Sequence, residues 1–281
     1  MKTRKFYTAF IPAAFAILFS SCKKTDAFAD NTAAQETTYE LSAGQALADN
    51  ISEDANTVFM EAAAVKNLLG SNTQAITTGN VLNGAVVTVS SGSGFPKSIV
   101  INFSDGITTN GVVRTGKINV VLSDSVRKTG SNAVITFTNY STNGFKKEGT
   151  ITWTNTSTAT TKGWQRKIEN GKVTAPDGRF WLHSGTRDAV QIAGANTPNT
   201  LLDDNYLITG NQTVTNSAGK TSNCYITEAL QKKTVCDNIG TGKLKVQGDN
   251  HTALIDFGNG DCDKLATVSV DGGDPRTINL R

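Results

Sequence analysis

The sequence lacks the short motifs that mark several common catalytic and metal sites. It has no Cys-x-x-Cys pair, no His-Glu-x-x-His segment and no Gly-x-Ser-x-Gly segment. These absences argue against a dithiol redox centre, a zinc peptidase and the nucleophile of an α/β-hydrolase. Only two histidines are present, His183 and His251, and they stand in unrelated segments. The sequence therefore predicts neither a metal site nor a bound cofactor.

Charged residues and prolines are scarce as well. Charged residues make up 18% of the chain and hydrophobic residues 38%. This balance argues against an intrinsically disordered chain and against a polytopic membrane protein. Only 5 prolines occur beside 26 glycines, and threonine and asparagine are frequent. Such a composition favours β structure with many turns.

The chain has no basic surplus once its first residues are set aside. It holds 27 Lys and Arg residues against 24 Asp and Glu residues, a formal net charge of +3. Residues 1–21 contain Lys2, Arg4 and Lys5 and no acidic residue, which leaves 24 residues of each sign in the remainder. A nucleic-acid-binding surface needs a basic excess, so the sequence predicts no nucleic-acid partner.

The N-terminal segment has the three parts of a bacterial lipoprotein signal. Its basic residues precede an apolar stretch from Phe6 to Phe19, which is too short to span a bilayer. Ser20 and Ser21 then lead into Cys22, as small residues do before a lipidated cysteine. We predict that residues 1–21 are a signal peptide and that Cys22 carries acyl chains, palmitate among them.

Lipidation of Cys22 predicts a membrane-anchored protein of the cell envelope. Two or more acyl chains hold a protein firmly on a bilayer, whereas a single chain holds it only weakly. Lys23 and Lys24 follow the cysteine, and no Asp stands directly after it. The inner-membrane retention signal is such an Asp, so we expect an outer-membrane lipoprotein facing the periplasm or the surface.

The rest of the chain divides into a tether, a helix and a β-rich body. Residues 22–40 are small and polar and predict a flexible tether. Residues 41–70 carry apolar side chains at spacings of three and four, which predicts an amphipathic helix with Ser42 as its N-cap and Gly70 at its end. This stripe either packs on the body or binds a partner. The apolar positions are Leu47, Ile51, Ala55, Val58, Ala62, Val65 and Leu69.

From residue 80 to residue 281 the apolar residues alternate, as they do in half-buried strands. Strand-like runs cover 87–89, 99–103, 117–122, 133–137, 149–153, 243–246 and 266–270. Asx-Gly pairs between such runs indicate hairpin turns. These patterns predict a mainly β fold, an antiparallel sandwich or open barrel-like sheets, in one body or two lobes. The pairs are Asp105-Gly106, Asn110-Gly111, Asn143-Gly144, Asn170-Gly171, Asp177-Gly178, Asn259-Gly260 and Asp271-Gly272.

Several phrases of this body resemble a family of uncharacterised lipoproteins from Bacteroidota-type bacteria. The matching phrases are IVINFSDGITTNGVVRTGKINV, GTITWTN, GWQRKIENGKVT and CDNIGTGKLKV followed by ALIDFGNGDCDKLATVSVDG. The resemblance covers roughly residues 80–281. It implies export, a lipid anchor and a mostly β fold, and it implies no activity. Asp124-Ser125-Val126 also resembles the O-glycosylation acceptor of such bacteria, which makes Ser125 a candidate modification site.

Three cysteines remain beyond Cys22, and one of them has no partner. Disulfides persist outside the cytoplasm. A hairpin formed by residues 243–247 and 252–257 places residues at equal distances from its turn opposite each other. Cys236 and Cys262 lie at nearly equal distances, whereas pairing Cys224 with Cys236 needs a turn at Leu230. The sequence therefore favours a Cys236–Cys262 disulfide over three reduced, buried thiols.

Tryptophan offers the remaining candidate site. Trp153, Trp164 and Trp181 lie close together in the chain. Trp164 and Trp181 on an exposed β face could stack on sugar rings, and the alternative is that they pack in the core. The sequence thus favours a non-enzymatic binding or structural role, with a glycan or an envelope protein as partner. The alternative is a carbohydrate-binding or carbohydrate-active surface lipoprotein.

Overall fold

The computed structural model describes residues 24–70, 75–104 and 106–281. This part of the chain forms one helix, α1, followed by fourteen strands, β1 to β14. The helix is α1 (Lys24–Val65), and the strands are β1 (Val86–Val89), β2 (Lys97–Asn102), β3 (Ile107–Thr109), β4 (Val112–Leu122), β5 (Asn132–Thr142), β6 (Phe145–Asn155), β7 (Gly163–Thr174), β8 (Phe180–Ala193), β9 (Asn205–Asn216), β10 (Thr221–Lys233), β11 (Thr241–Gln247), β12 (Thr252–Asn259), β13 (Leu265–Val270) and β14 (Arg276–Asn279).

All fourteen strands belong to one antiparallel sheet. From β4 onward each strand pairs with the next in the chain, β1 and β2 extend the sheet on one side, and β3 pairs only with β4. The sheet does not close into a barrel. The predicted mainly β, antiparallel fold with one N-terminal helix is confirmed, and its strands lie in one open sheet.

The sheet curves around the helix. Between Leu41 and Ala64 nearly every residue of α1 is buried, whether apolar or charged. The ring of Phe59 contacts Trp153 of β6 with centroids 5.7 Å apart, and α1 also contacts strands β8 to β13. A helix lying on a flat sheet would keep one face in water. The predicted apolar stripe therefore packs on the sheet, except for Val65 near its C-terminal end, which is 49% exposed, and the other faces of the helix are covered as well.

Both ends of the helix differ from the sequence prediction. The helix begins at Lys24, so the predicted flexible tether over 22–40 is wrong for residues 24–40. Ser42 is not an N-cap, because it lies inside the helix, where its hydroxyl donates to the Thr38 carbonyl at 2.7 Å. The polar residues of this stretch favour a helix, but they show no apolar periodicity, so the sequence did not predict a helix there.

The C-terminal end of α1 is closed by Asn67 rather than by Gly70. Asn67 has a φ of 56°, the left-handed conformation typical of the residue after a helix. The Leu68 N–H then donates to the Ala63 carbonyl at 2.8 Å, the long bond of a Schellman motif. Asn replaces Gly in this role because its polar side chain tolerates a positive φ.

Asp105 lies outside the described residues, and of the Asx-Gly pairs that the structure describes most form the predicted turns, whereas Asn170-Gly171 does not. Both residues of Asn143-Gly144 and of Asp271-Gly272 have positive φ, as a type I′ hairpin turn requires. Asn170-Gly171 is instead inside β7, where the pairing with β8 shifts register after Ile168. The same preference for positive φ serves a β-bulge at this position, so the predicted turn is wrong.

Bulges of this kind form a row across the sheet, which we call the crease. Most of the strand pairs from β4 to β12 shift register at the same level. At Gly149 (φ 103°) a side chain would place its Cβ 2.4 Å from the Asn170 carbonyl oxygen, so only glycine fits. Because bulges bend strands, the crease accounts for the curvature around α1. The crease consists of Gly116, Asn139, Gly149, Asn170, Gly185, Gly210 and Gly242, all with positive φ.

The predicted disulfide is present. Cys236 and Cys262 are bonded, with Cα atoms 5.0 Å apart. Gln247 pairs with Thr252 beside the hairpin turn, which is the register that the prediction used. The third cysteine, Cys224 in β10, is buried and reduced. The pairing was predictable because one tight turn fixes the register of both strands.

The N-terminal signal and Cys22 lie outside the described residues. Within residues 24–70, 75–104 and 106–281, no helix is both long enough and apolar enough to cross a bilayer. The predicted lipid anchor therefore stays a prediction from the sequence.

Candidate functional site

The interior carries a network in which the helix supplies acidic groups and the sheet supplies basic ones. Asp49, Glu53 and Asp54 lie within two turns of α1 and are buried. Their partners come from three different strands, and each guanidinium is also buried. The ion pairs are Asp49–Arg187 (2.8 Å), Glu53–Arg166 and Asp54–Arg114, with Arg281 as a second partner of Asp54 at 2.7 Å. Breaking one of them would leave a charge without compensation in the interior.

Asp54 is the most heavily bonded of the three carboxylates. It accepts from Arg114 Nε at 3.1 Å, from the Tyr140 hydroxyl at 2.9 Å and from Arg281 Nη1 at 2.7 Å. Burial by itself would raise the pKa of Asp54, but the guanidinium groups of Arg114 and Arg281 outweigh it and hold the pKa well below its usual range. Asp54 is therefore ionised at every pH at which the protein functions.

A second interior cluster has the composition of a nucleophile with its base. Lys147 Nζ lies 3.1 Å from Ser52 Oγ and 2.7 Å from His183 Nε2. Burial lowers the pKa of Lys147 to about 7, and the neighbouring charge of Arg166 acts in the same direction. A neutral amine beside a hydroxyl resembles a Ser–Lys catalytic pair. All three side chains are buried around the central helix, so we assign them to packing rather than to catalysis.

A cavity of about 230 Å³ lies beside the C-terminal half of α1. Met60 of the helix forms one wall, and Trp153, Trp164 and Tyr206 of three strands form others. The Trp164 and Tyr206 rings have centroids 5.9 Å apart and are tilted by 52°. We call this cavity the large chamber. Its walls can accept a ring-shaped molecule between aromatic side chains.

A second cavity, the small chamber, adjoins the large one. Its volume is about 20 Å³, and it shares Met60, Leu201, Asp204 and Tyr206 with the large chamber. A space of this size holds one group as large as a water molecule. The remaining walls of the small chamber come from Glu53, Asn56, Thr57, Glu61, Lys232 and Thr234.

Several buried polar atoms around the chambers have no hydrogen-bond partner among the described residues. In the small chamber they are acceptor oxygens, Glu53 Oε2, Asn56 Oδ1 and Glu61 Oε2. In the walls of the large chamber they are the indole nitrogens of Trp153 and Trp164. Most buried polar groups in proteins are hydrogen-bonded, so these atoms make the chambers a candidate binding site, although other unpartnered atoms lie elsewhere in the interior.

Asp204 and Glu61 are the titratable groups of the chambers. Asp204 accepts from Gln191 Nε2 at 2.7 Å and from the Tyr206 hydroxyl at 3.1 Å, and burial raises its pKa to about 6. Burial also raises the pKa of Glu61, to about 7, although the backbone N–H groups of Gly79 and Val81 oppose the shift. Neither carboxyl forms an ion pair with any residue that the structure describes.

The two tryptophans predicted to stack on sugars do not lie on an exposed face. Trp164 is 3% exposed and Trp181 is 5% exposed. Trp181 lies against Gly44 of the helix, where a Cβ would come within 2.4 Å of its ring. Trp164 contributes to the large chamber instead. The predicted exposed stacking face is therefore wrong. Of the two predicted tryptophans, Trp164 belongs to an internal aromatic wall and Trp181 does not.

The other predicted site residue lies elsewhere. Ser125 is in the connection between β4 and β5 and is partly buried, and its N–H donates to Asp124 Oδ1 at 2.8 Å. Its glycosylation stays a prediction. Sequence reasoning missed Glu61, Asp204 and Tyr206. The available signal was Glu61 itself, an acidic residue directly before the predicted core position Ala62.

No family model, curated protein or solved structure matches the chain. The function is therefore inferred from the geometry of the chambers alone. Among the described residues, no group of three or more His, Cys, Asp and Glu side chains is arranged to hold a metal ion.

Proposed function

We propose that this chain is a lipid-anchored envelope protein that binds a small, ring-containing molecule in the large chamber. The observation that carries the proposal is the aromatic wall formed by Trp153, Trp164 and Tyr206 against Met60 of the central helix. Binding sites for small molecules are typically concave and mostly apolar, with a few polar groups that fix orientation. The large chamber is concave and has an apolar, aromatic wall, and it is more polar than most such sites because Arg127, Lys162 and Asp204 also line it.

The volume of the large chamber limits the size of its ligand. Cavities that enclose drug-sized ligands measure about 300–1,000 Å³, and this one measures about 230 Å³. A single substituted ring suits the space better than a polymer. Among glycans, a terminal sugar ring is the part that fits, and Trp164 and Tyr206 favour this carbohydrate-binding alternative because aromatic faces suit sugar C–H groups.

Several polar groups of the large chamber are held in fixed positions. Gln191 and Tyr206 both donate to Asp204, which holds the carboxyl in a fixed orientation. Asn155 is likewise engaged, because its Nδ2 donates to the Val126 carbonyl at 2.8 Å. Side chains held in this way present fixed polar groups that can orient a bound ligand.

The lipid anchor in this proposal is inferred from the sequence alone. Cys22 follows a complete lipoprotein signal, and α1 begins at Lys24. An acyl chain on Cys22 would thus be joined to the helix that forms the centre of the body. Replacing Cys22 with Ala and fractionating cells tests this part: the variant should leave the membrane fraction, and sedimentation like wild type would contradict it.

The binding proposal is tested by blocking the large chamber from its exposed side. Ala195 lines the chamber and is exposed, so Ala195→Trp should fill it at little cost to folding. Ala159 is exposed elsewhere, and Ala159→Trp is the matched control. We expect saturation-transfer NMR with monosaccharides and small aromatic compounds to show binding to wild type and the control and its loss in Ala195→Trp. Equal binding to all three proteins would contradict the proposal.

A further inference from the structure

The walls of the small chamber present hydrogen-bond acceptors and few donors. Glu53 Oε2, Asn56 Oδ1 and Glu61 Oε2 are buried and find no donor in the part of the chain that the structure describes. Asp204 lies where the small chamber meets the large one. A group that occupies this space must donate several hydrogen bonds at once to satisfy these oxygens.

The charges around the small chamber also favour an occupant that donates hydrogen bonds. The three buried carboxylates that lie N-terminal to Glu61 in the helix, Asp49, Glu53 and Asp54, each have an arginine partner. Glu61 and Asp204 form no such ion pair among the described residues, although the charge of Arg127 in the wall of the large chamber acts to lower the pKa of Asp204. A buried carboxylate is costly unless a positive charge compensates it. The raised pKa values of Glu61 and Asp204 agree with this lack of a partner.

The basic side chain of the small chamber is already bound to other groups, and Arg127 and Lys162 line only the large chamber. Lys232 lines the small chamber, but its Nζ donates to the backbone carbonyls of Lys233, at 2.9 Å, and Cys236. Burial lowers the pKa of Lys232 to about 8, so the side chain stays mostly charged near pH 7, but among the described residues no hydrogen bond or ion pair joins it to Glu61. Lys232 therefore does not supply the missing donors to Glu61.

We infer that the ligand carries a primary amine, whose ammonium group occupies the small chamber and donates to Glu61 and Asp204 while its ring lies in the large chamber. This inference rests on the proposed function and names the class of its ligand. An ammonium group is about as large as a water molecule and has three donors, so it matches both the volume and the acceptors. A hydroxyl group has one donor and no charge.

The test compares benzylamine with benzyl alcohol, which share a ring and a length and differ in the donor group. We expect calorimetry at pH 7.5 to show benzylamine binding to the wild-type protein about tenfold or more tightly than benzyl alcohol, as a charge-assisted bond predicts. Glu61→Gln should remove this advantage and leave the affinity for benzyl alcohol unchanged. Glu148→Gln, in a half-exposed glutamate of β6, is the matched control and should behave like wild type.

A second variant protects the test against a failure of Glu61→Gln to fold. Asp204→Asn removes the charge and keeps one side-chain oxygen, which can accept from Gln191 or from Tyr206, so it should also weaken benzylamine selectively. If benzyl alcohol binds, is blocked by Ala195→Trp and equals benzylamine in affinity, this inference is overturned while the proposed function stands. If neither probe binds the wild-type protein, the inference is overturned as well.

Discussion

The interior of the curved sheet and its outer face carry the same kinds of charge in opposite settings. Inside, the Asp54–Arg114 and Asp49–Arg187 pairs are at most 3% exposed. Outside, the side chains of Lys167–Glu169 and Lys146–Glu148 are 40–56% exposed. Exposed pairs contribute about 0–1 kcal/mol because water and salt screen them. The number of ion pairs therefore says little about the stability of this protein unless buried pairs and exposed pairs are considered separately.

Inside, the pairs also fix the position of the helix. Asp49, Glu53 and Asp54 each meet an arginine of one strand, so a helix shifted by one turn would leave these buried charges unpaired. Apolar contacts alone tolerate such shifts more readily. We therefore interpret the interior charges as determinants of register rather than as sources of stability.

The largest effect is expected for Asp54→Ala. The substitution leaves Arg114 and Arg281 buried without their counter-charge, so the free energy of unfolding should fall by about 3–5 kcal/mol. Urea denaturation followed by tryptophan fluorescence measures it. A loss below about 1 kcal/mol would show that water reaches this part of the interior and that the comparison with the surface fails.

The disulfide joins the two regions, since Cys236 is buried and Cys262 is exposed. Replacing Cys262 with Ser opens a loop with a sequence separation of 26 residues. The chain-entropy model then predicts a loss of about 3 kcal/mol. The control is Cys224→Ser assayed under reducing and non-reducing conditions, because Cys224 is not bonded and its variant should keep the response of wild type to reductant. An unchanged denaturation midpoint in Cys262→Ser would contradict a stabilising role.

Stability should depend on pH through Glu61 in a direction opposite to that of ordinary surface carboxylates. The unfolded chain loses the Glu61 proton near pH 4.5, whereas the folded protein keeps it up to about pH 7. Ionisation therefore favours unfolding as the pH rises from about 4.5 to 7, and the stability that Glu61 provides at low pH is lost over that window. Glu61→Gln should remove roughly 1–2 kcal/mol of this decline.

Denaturation of wild type and Glu61→Gln at pH 5 and pH 7.5 measures this term as the difference between the two proteins. Asp54 does not disturb the measurement, because its pKa in the folded protein lies well below pH 5. Parallel pH profiles for the two proteins would mean that Glu61 is solvated in the folded state.

The smallest effect is expected on the outer face. Glu169→Ala removes the partner of Lys167, and both side chains are about half exposed. The free energy of unfolding should change by about 0.5 kcal/mol or less, and added salt should reduce even this difference. A loss comparable to that of Asp54→Ala would abolish the distinction between the two regions.

The sequence predicts those parts of the fold that depend on neighbouring residues. Alternation marks the strands, the Asn143-Gly144 turn follows from its residue types, and the Cys236–Cys262 pairing follows from one hairpin. Asn170-Gly171 shows the limit, because a bulge and a turn demand the same positive φ and only the neighbouring strands decide between them.

The enclosure of the helix and the chambers could not be predicted in this way. Acidic positions on α1 have the pattern of a solvent-facing side, and their burial depends on arginines from 60 to 227 residues away in the chain. The chambers join Met60, Trp164, Asp204 and Tyr206, which share no local motif. Residues that only the tertiary structure brings together have no characteristic spacing in the sequence, so no motif can identify them.

The enclosed helix also has a consequence for how the protein folds. The helix precedes all the strands that cover it, and its contacts reach across sequence separations as large as 240 residues. Such non-local contacts form slowly, so α1 stays in water until the sheet closes around it. During that time Asp49, Glu53 and Asp54 keep the helix soluble, where an apolar surface would promote aggregation. The same carboxylates thus protect the unfinished chain first and align its core afterwards.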